Sequence, residues 1–444
     1  MREGGNPANT RPNEDRERYL ASLRQSEWLS EHDLELYQRR LLERIVRHAS
    51  AETDYYRDAL KVLFNADGAI DWRRWQDVPV LTREDVQSNP ELLIARSVPD
   101  AAGGNSEIRT SGSTSLPIRV LWDQLTGFAM HTLDARFYGW HGIDISQSLA
   151  LIRAFPEGEN MFPGGGRSRA WHALGPDADF FKLNSTTALS DQIEWLEHCR
   201  PDYLSSYASN IIELAMTMDP GQARGLGLKA CMSFGETVSD EAHEIVRERF
   251  GAPLLDRYGV TEVGQISAQC PMSTRHHVSM EAVRVEFLDD GGQPVKPGER
   301  GRVIVTGFYN YSMPFIRYDV GDYAIQSAKP CACGRRLAGI ERIVGRARSI
   351  FRFNDGSARF PYIKLREIAP FLPHRQLQVA QTQLDRIEVR YVPDGPDHEI
   401  DKVGLTAFFR QRLHESLTVE LRAMERIPRS RSGKFFDYVS ELRR

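Results

Sequence analysis

The chain has 444 residues, enough for two or three domains with sizeable buried cores. Its 41% hydrophobic and 27% charged content is that of a globular protein and excludes wholesale disorder. A formal net charge of -4 lacks the basic excess of a nucleic-acid binder, so no nucleic-acid partner is expected.

In chain order, residues 1–18 are polar and charged and read as a mobile tail; with no apolar stretch behind them, they predict no secretory leader. No apolar run approaches the ~18–20 residues of a membrane span, so no membrane partner is expected. Five cysteines in so long a chain fit a reducing compartment, and the cytoplasm is the expected location. Leu34, Tyr37, Leu41 and Ile45 recur at helical spacing and predict an amphipathic helix over Leu34–His48, closed by Thr53–Asp58.

Past Asn105, short apolar runs such as Leu149–Phe155 and Lys229–Phe234 read as buried strands. Ser190–Cys199 and Asp240–Phe250 read as helices between strands, and this alternation predicts an α/β body with mostly parallel sheet. Val283–Phe287 and Arg302–Gly307 are β-rich and joined by a Gly/Pro turn over Asp289–Gly298, which predicts a small antiparallel sheet or barrel. A further change near Gly345–Ser349 divides the chain into a body of residues 1–345 and an α+β lid of residues 346–444.

Four runs carry chemistry. Thr110-Ser111-Gly112-Ser113-Thr114-Ser115-Leu116-Pro117 can turn hydroxyls and backbone N–H groups toward one anion, with a strand leaving at Ile118–Trp122. It lacks the Gly-Lys-Ser/Thr ending of a Walker loop. Arg257-Tyr258-Gly259-Val260-Thr261-Glu262 offers an aromatic for an adenine and a carboxylate for Mg²⁺, which prefers oxygen ligands. In Ile316-Arg317-Tyr318-Asp319-Val320-Gly321-Asp322, a carboxylate after a glycine at a strand end can accept ribose hydroxyls. Pro428-Arg429-Ser430-Arg431-Ser432-Gly433-Lys434 presents a mobile cation suited to a phosphate or a developing charge. Cys331 and Cys333 form a tight Cys-x-Cys turn, and with Cys270 and His276 or His277 upstream they could hold a structural Zn²⁺. Cys199 and Cys231 read as core cysteines.

In this order the four runs resemble the adenylate-forming superfamily of acyl-CoA synthetases, adenylation domains and luciferases. Tyr55-Tyr56-Arg57, Phe234-Gly235-Glu236, Pro314-Phe315-Ile316-Arg317-Tyr318 and Cys331-Ala332-Cys333-Gly334-Arg335 narrow the resemblance to the phenylacetate-coenzyme A ligase branch, with its coenzyme F390 synthetase-like and capsule-biosynthesis relatives. The resemblance implies that Thr110, Ser111, Gly112, Ser113 and Thr114 cradle the ATP phosphates. Gly235 and Glu236 would border the adenine, and Tyr258, followed by Gly259, would stack on it. Thr261 would contact the α-phosphate, Glu262 would hold Mg²⁺, and Asp322 would bind the ribose with Arg346 close by. Lys434 would reach the α-phosphate and the substrate carboxylate. It also implies a zinc set of Cys270, His277, Cys331 and Cys333. The region Tyr203–Asn210 shapes the acyl pocket in similar enzymes, and Phe137, Tyr138, Trp140, His141 and Tyr207 would wall an aromatic or small apolar acid. Gly164-Gly165-Gly166 reads as a flexible loop without an assigned purpose.

Two positions depart from the family pattern: Ser115 stands where a glycine is usual, and Arg348 stands where the hinge aspartate is usual. The expected reaction is attack of a carboxylate on the ATP α-phosphate with release of pyrophosphate, then acyl transfer to coenzyme A. The rivals are transfer to a carrier protein or an amine, and a nucleotide-binding assembly protein without turnover. The reading allows a homodimer.

Overall fold

The computed structural model describes residues 11–109, 118–346, 349–361, 363, 365–395, 399–430 and 433–442. The chain divides into two compact units, each drawn from separate stretches of sequence. The first comprises residues 1–147, 169–179 and 256–343; the second comprises 148–168, 180–255 and 344–444. The architecture is α/β, and no described helix is long and apolar enough to cross a membrane.

In the first unit, the strands Val283–Leu288, Arg300–Gly307, Tyr318–Gln326, Gly339–Arg346, His276–Val278, Gly264–Gln269 and Leu254–Val260 lie side by side in that order. Pairing is antiparallel between Val283–Leu288 and Arg300–Gly307, with Val285 opposite Val305, as the β-rich reading of this stretch anticipates. The tail expectation does not hold for residues 11–18, because Arg11–Ser26 is a helix. Its Leu23 is fully buried, and Tyr19 stacks on Phe128 and shares a hydrogen bond with the Tyr309 hydroxyl at 2.8 Å. Ser26 adds a buried hydrogen bond to Glu281 at 2.5 Å, and Arg16 lies over the Phe128 ring.

The next helix, Glu31–Glu52, starts where the Ser30 side chain accepts the Asp33 N–H, an N-cap with acidic residues in the first turn. Its buried stripe is rotated from the expected one. Leu34, Gln38, Leu42, Ile45, Val46 and Ala49 face the core, while Tyr37 and Leu41 are half-buried. Gln38 tolerates burial because its amide donates to the carbonyls of Met280 and Val283 at 2.8 and 2.9 Å. Thr53 closes this helix, its N–H donating to the Ala49 carbonyl, and its side chain caps a further helix, Asp54–Ala59, within the stretch read as the closing segment.

In the second unit, Ala230–Ser233, Tyr203–Ser206, Leu149–Arg153, Asp179–Asn184 and Gly166–Arg169 follow one another across the sheet. The Leu149–Arg153 strand runs parallel to both neighbours, and helices Leu189–Cys199 and Asp240–Phe250 form where the periodicity predicts them. Gly165 and Gly166 serve packing: a Cβ on them would lie 2.5 Å from the Lys182 carbonyl and 1.9 Å from Asn160 Oδ1. The C-terminal stretch adds a four-stranded sheet ordered Thr418–Ala423, Arg386–Pro393, His374–Gln383, Tyr438–Ser440. Helix Lys402–Arg412 buries Leu405 and Phe409 in a core with Val379, Ile387 and Val389.

Candidate active site

The Tyr-Gly-x-Thr-Glu run lies at a tight reversal between the antiparallel strands Leu254–Val260 and Gly264–Gln269. Only glycine fits at 259, since a Cβ there would stand 2.5 Å from the Gly264 carbonyl oxygen. The Trp122 indole N–H donates to the Thr261 carbonyl at 2.8 Å and pins the turn. Glu262 is held beside it: the Tyr318 hydroxyl donates to Oε1 at 2.9 Å and Arg83 approaches the same oxygen at 3.4 Å. Both contacts fall on one oxygen of a buried carboxylate, an arrangement able to offer the other to a hard cation.

Tyr318 is itself fixed by two motifs that sequence reasoning used only as family marks. The Tyr56 hydroxyl accepts the Ile316 N–H at 2.8 Å and faces the Ile316 carbonyl at 3.3 Å. Arg317 takes a left-handed backbone, φ 49°, uncommon for a side chain of this size. It is held there by Glu286 at 3.2 Å and by the carbonyls of Trp75, Gln76 and Val78.

Asp322 lies within the strand Tyr318–Gln326, not at a strand end as expected; Gly321 before it has φ 76°. The Tyr258 hydroxyl donates to Asp322 Oδ2 at 2.9 Å, so the residues expected at the adenine and at the ribose meet directly. Thr110, Ser111, Gly112, Ser113 and Thr114, with Ser115, lie outside the described residues. The strands flanking them, Asn105–Arg109 and Arg119–Asp123, pair antiparallel with Ile108 opposite Val120.

In the second unit the lysine run folds onto Phe234-Gly235-Glu236. A Cβ built on Gly235 would lie 3.1 Å from Lys434 Cε and 3.4 Å from Nζ, so the lysine stem runs along the Gly235 backbone. Gly433 has φ 79° and would clash at 2.8 Å with the Tyr207 ring if it carried a Cβ. The turn closes on itself: Gly433 N–H donates to the Ser430 carbonyl and Ser430 N–H to the Lys434 carbonyl, both at 2.8 Å. The Tyr207 hydroxyl accepts the Ala154 N–H at 3.2 Å. Glu236 accepts the Ser209 N–H at 2.8 Å and the Phe435 N–H at 2.5 Å. Burial raises its carboxyl above the usual range, and those N–H donors with Arg429 pull against the rise. Arg346 ends the strand Gly339–Arg346, and Arg348 is outside the described residues.

The Cys/His set is a separate cluster of the first unit. The ligand atoms of Cys270, His277, Cys331 and Cys333 all lie within 4.8 Å of one another. Cys270 and Cys331 sulfurs are 3.5 Å apart, and His277 Nε2 is 3.2 Å from Cys333 Sγ. Zn–S and Zn–N bonds of about 2.3 and 2.0 Å would space tetrahedral ligand atoms on this scale. Burial lowers His277 to about 4, leaving it neutral, and pushes Cys270 up to about 11. Burial also raises Cys333, but the Arg335 donors outweigh it and bring that thiol below its ordinary value. His276, the alternative ligand, is already engaged: it lies 3.4 Å from Asp256 and 3.2 Å from Ser267 Oγ.

Trp140 and His141 belong to the surroundings of this cluster. Trp140 donates to Glu27 at 2.8 Å and meets the His277 ring edge-on, while His141 bonds the Gln269 carbonyl at 3.0 Å. Arg335 lies over Trp140 and reaches Glu27 at 2.5 Å, tying the cluster to the first two helices. Sequence reasoning missed Glu27. Phe137 and Tyr138 are buried on the same helix, Gln124–Trp140, under the Arg257 guanidinium. Tyr207, in the second unit, packs on Phe234.

Residues 181–313 match the family model described as AMP-binding enzyme. The chain superimposes with a TM-score of 0.70 on a solved structure of 2-hydroxyisobutyryl-CoA ligase in the postadenylation state in complex with R3-HIB-AMP; it is 18% identical, over 94% of this chain and 91% of that one. Part of the chain thus matches the AMP-binding enzyme model, and the chain shares the fold of that solved ligase. More particularly, it is similar to the phenylacetate-coenzyme A ligase of Escherichia coli (strain K12), 25% identical over 420 residues that cover 87% of each chain. It is also 32% identical over 274 residues to a protein called chalcone synthase cfoA from Aspergillus candidus, but it spans only 9% of that protein's length.

Proposed function

We propose that the protein uses ATP to adenylate a carboxylic acid, releasing pyrophosphate, and passes the acyl group to coenzyme A. The observation that carries this reading is the meeting of Lys434 with Gly235, which places a cation on a motif assigned to the nucleotide. In this reading the substrate carboxylate attacks the ATP α-phosphorus, the bond to the pyrophosphate oxygen breaks, and pyrophosphate leaves. Lys434 would stabilise the charge that builds on the α-phosphate oxygens, and Thr261 would contact the α-phosphate. Asp322 would accept the ribose hydroxyls, and Tyr258 would lie against the adenine. Gly112 and the hydroxyl residues Thr110, Ser111, Ser113 and Thr114 would cradle the phosphates.

Glu262 fits a Mg²⁺ ligand, and the ion would supply charge neutralisation on the phosphates. Cys270, His277, Cys331 and Cys333 fit Zn²⁺, which four protein ligands would leave with no open position and a structural role. The similarity to phenylacetate-coenzyme A ligase supports an aromatic or small apolar acid, with Tyr207 proposed to face it. The five free cysteines support a reducing compartment such as the cytoplasm. Residues 346–444 would act as a lid on a body of residues 1–345, turning about Arg348.

A pyrophosphate-release screen over aryl and short-chain acids tests the reading. Release should require ATP, Mg²⁺ and one class of acid, and added coenzyme A should yield a thioester. ATP binding without acid-dependent release would identify a nucleotide-binding protein instead. Release without a coenzyme A thioester, relieved by a carrier protein or an amine, would move the acceptor.

A further inference from the structure

Glu236 and Arg429 form a buried polar knot on the lysine turn, within the second unit. Their side chains are only 7% and 8% exposed. Arg429 Nη2 pairs with Glu213 at 2.7 Å, and Nη1 donates to Ser209 Oγ at 2.6 Å and to the Gly433 carbonyl at 3.2 Å. Its guanidinium stands 3.9 Å from Glu236 Oε1. Glu236 in turn accepts N–H groups from Ser209 and from Phe435, the residue after the lysine. Gly433 and Phe435, on either side of Lys434, are therefore each tied to one member of the pair. A lysine stem is long and rotamer-rich, and its head is useful only where its backbone is held.

We propose that Glu236 and Arg429 are positioning residues that lock the Lys434 turn against Gly235, and that Glu236 serves the lysine rather than the adenine. This rests on the reading of Lys434 as the cation of the adenylation step. The carboxylate spends its oxygens on Ser209 and Phe435, which leaves it poorly placed to recognise a base. Arg429 acts from the other side, bridging the carbonyl of Gly433 to Glu213 and Ser209. The turn is thus clamped through its backbone on both sides of Lys434.

The test pairs hydrogen–deuterium exchange with kinetics on Glu236→Gln, Arg429→Met and the conservative Arg429→Lys. Exchange at the Ser209 and Phe435 amides should rise in Glu236→Gln, and exchange across the lysine turn should rise in Arg429→Met; both readings need no activity. Pyrophosphate release at saturating ATP should fall roughly 10²-fold, the scale of an ångström-sized misplacement, with ATP affinity within about twofold of wild type. Arg429→Lys should restore part of the rate. Weakened ATP binding with unchanged exchange would make Glu236 an adenine residue and overturn the proposal. So would raised exchange with full pyrophosphate release, or unchanged exchange in both Glu236→Gln and Arg429→Met. A wild-type protein that releases no pyrophosphate with any acid would refute the adenylation reading alone, and the exchange data would still decide whether the clamp exists.

Discussion

Tyr258 and Asp322 show what single side chains settle. A hydroxyl–carboxylate bond 2.9 Å long joins two residues that lie 64 positions apart in sequence. If Asp322 accepts the ribose, Asp322→Ala removes a buried acceptor and should weaken ATP binding by roughly 1–3 kcal/mol. Glu262→Gln should instead leave most of the affinity and lower turnover. Titration calorimetry on both variants separates these outcomes, and undiminished affinity in Asp322→Ala would remove the ribose assignment. At this scale the sequence was legible where residue type alone singles out a group, as with Cys270, His277, Cys331 and Cys333, which the fold brings together. It was not legible where a residue acts by holding another. Nothing local marks Glu27 as the partner of Trp140 and Arg335, or Arg429 as the partner of Ser209 and Glu213, because those partners are distant in the chain.

Among elements, the helices Leu189–Cys199 and Asp240–Phe250 followed from periodicity alone, because each buries one apolar stripe. The helix Arg11–Ser26 did not, since its anchors, Leu23, Tyr19, Ser26 on Glu281 and Arg16 on Phe128, make no apolar stripe in a highly charged stretch. Short elements hide for a different reason. Thr53 caps Asp54–Ala59 and presents Tyr56 to Ile316, a role visible only once both are in place. Tyr56→Phe leaves the Ile316 N–H without its acceptor and should lower stability by about 1–3 kcal/mol, read as a lower thermal midpoint with little change in ATP affinity. The Cys331-to-Arg335 turn gives a second test. Purified protein should contain one zinc per chain, and Cys331→Ser should lose it and melt earlier without changing the choice of acid. Metal-free protein of full stability would leave these residues as reduced thiols beside a neutral histidine.

The whole molecule is less linear than its sequence suggested. Residues 344–444 group with 148–168 and 180–255 in one compact unit, and residues 169–179 return to the other. Contacts such as those of Arg366 with Glu241 and Glu244 cross more than a hundred positions, and no window of sequence reports them. Among the described residues, this grouping holds Lys434 on Gly235, the contact on which the proposed adenylation role of Lys434 rests. A lid that later turns about Arg348 would carry the lysine away before thioester formation. The most direct measurement is a single-turnover comparison of both half-reactions in Lys434→Ala. Removal of one preorganised cation should slow acyl-adenylate formation by roughly 10²–10³-fold and leave thioester formation from a supplied acyl-adenylate close to wild type. Unimpaired adenylation, or equal damage to both steps, would contradict the account.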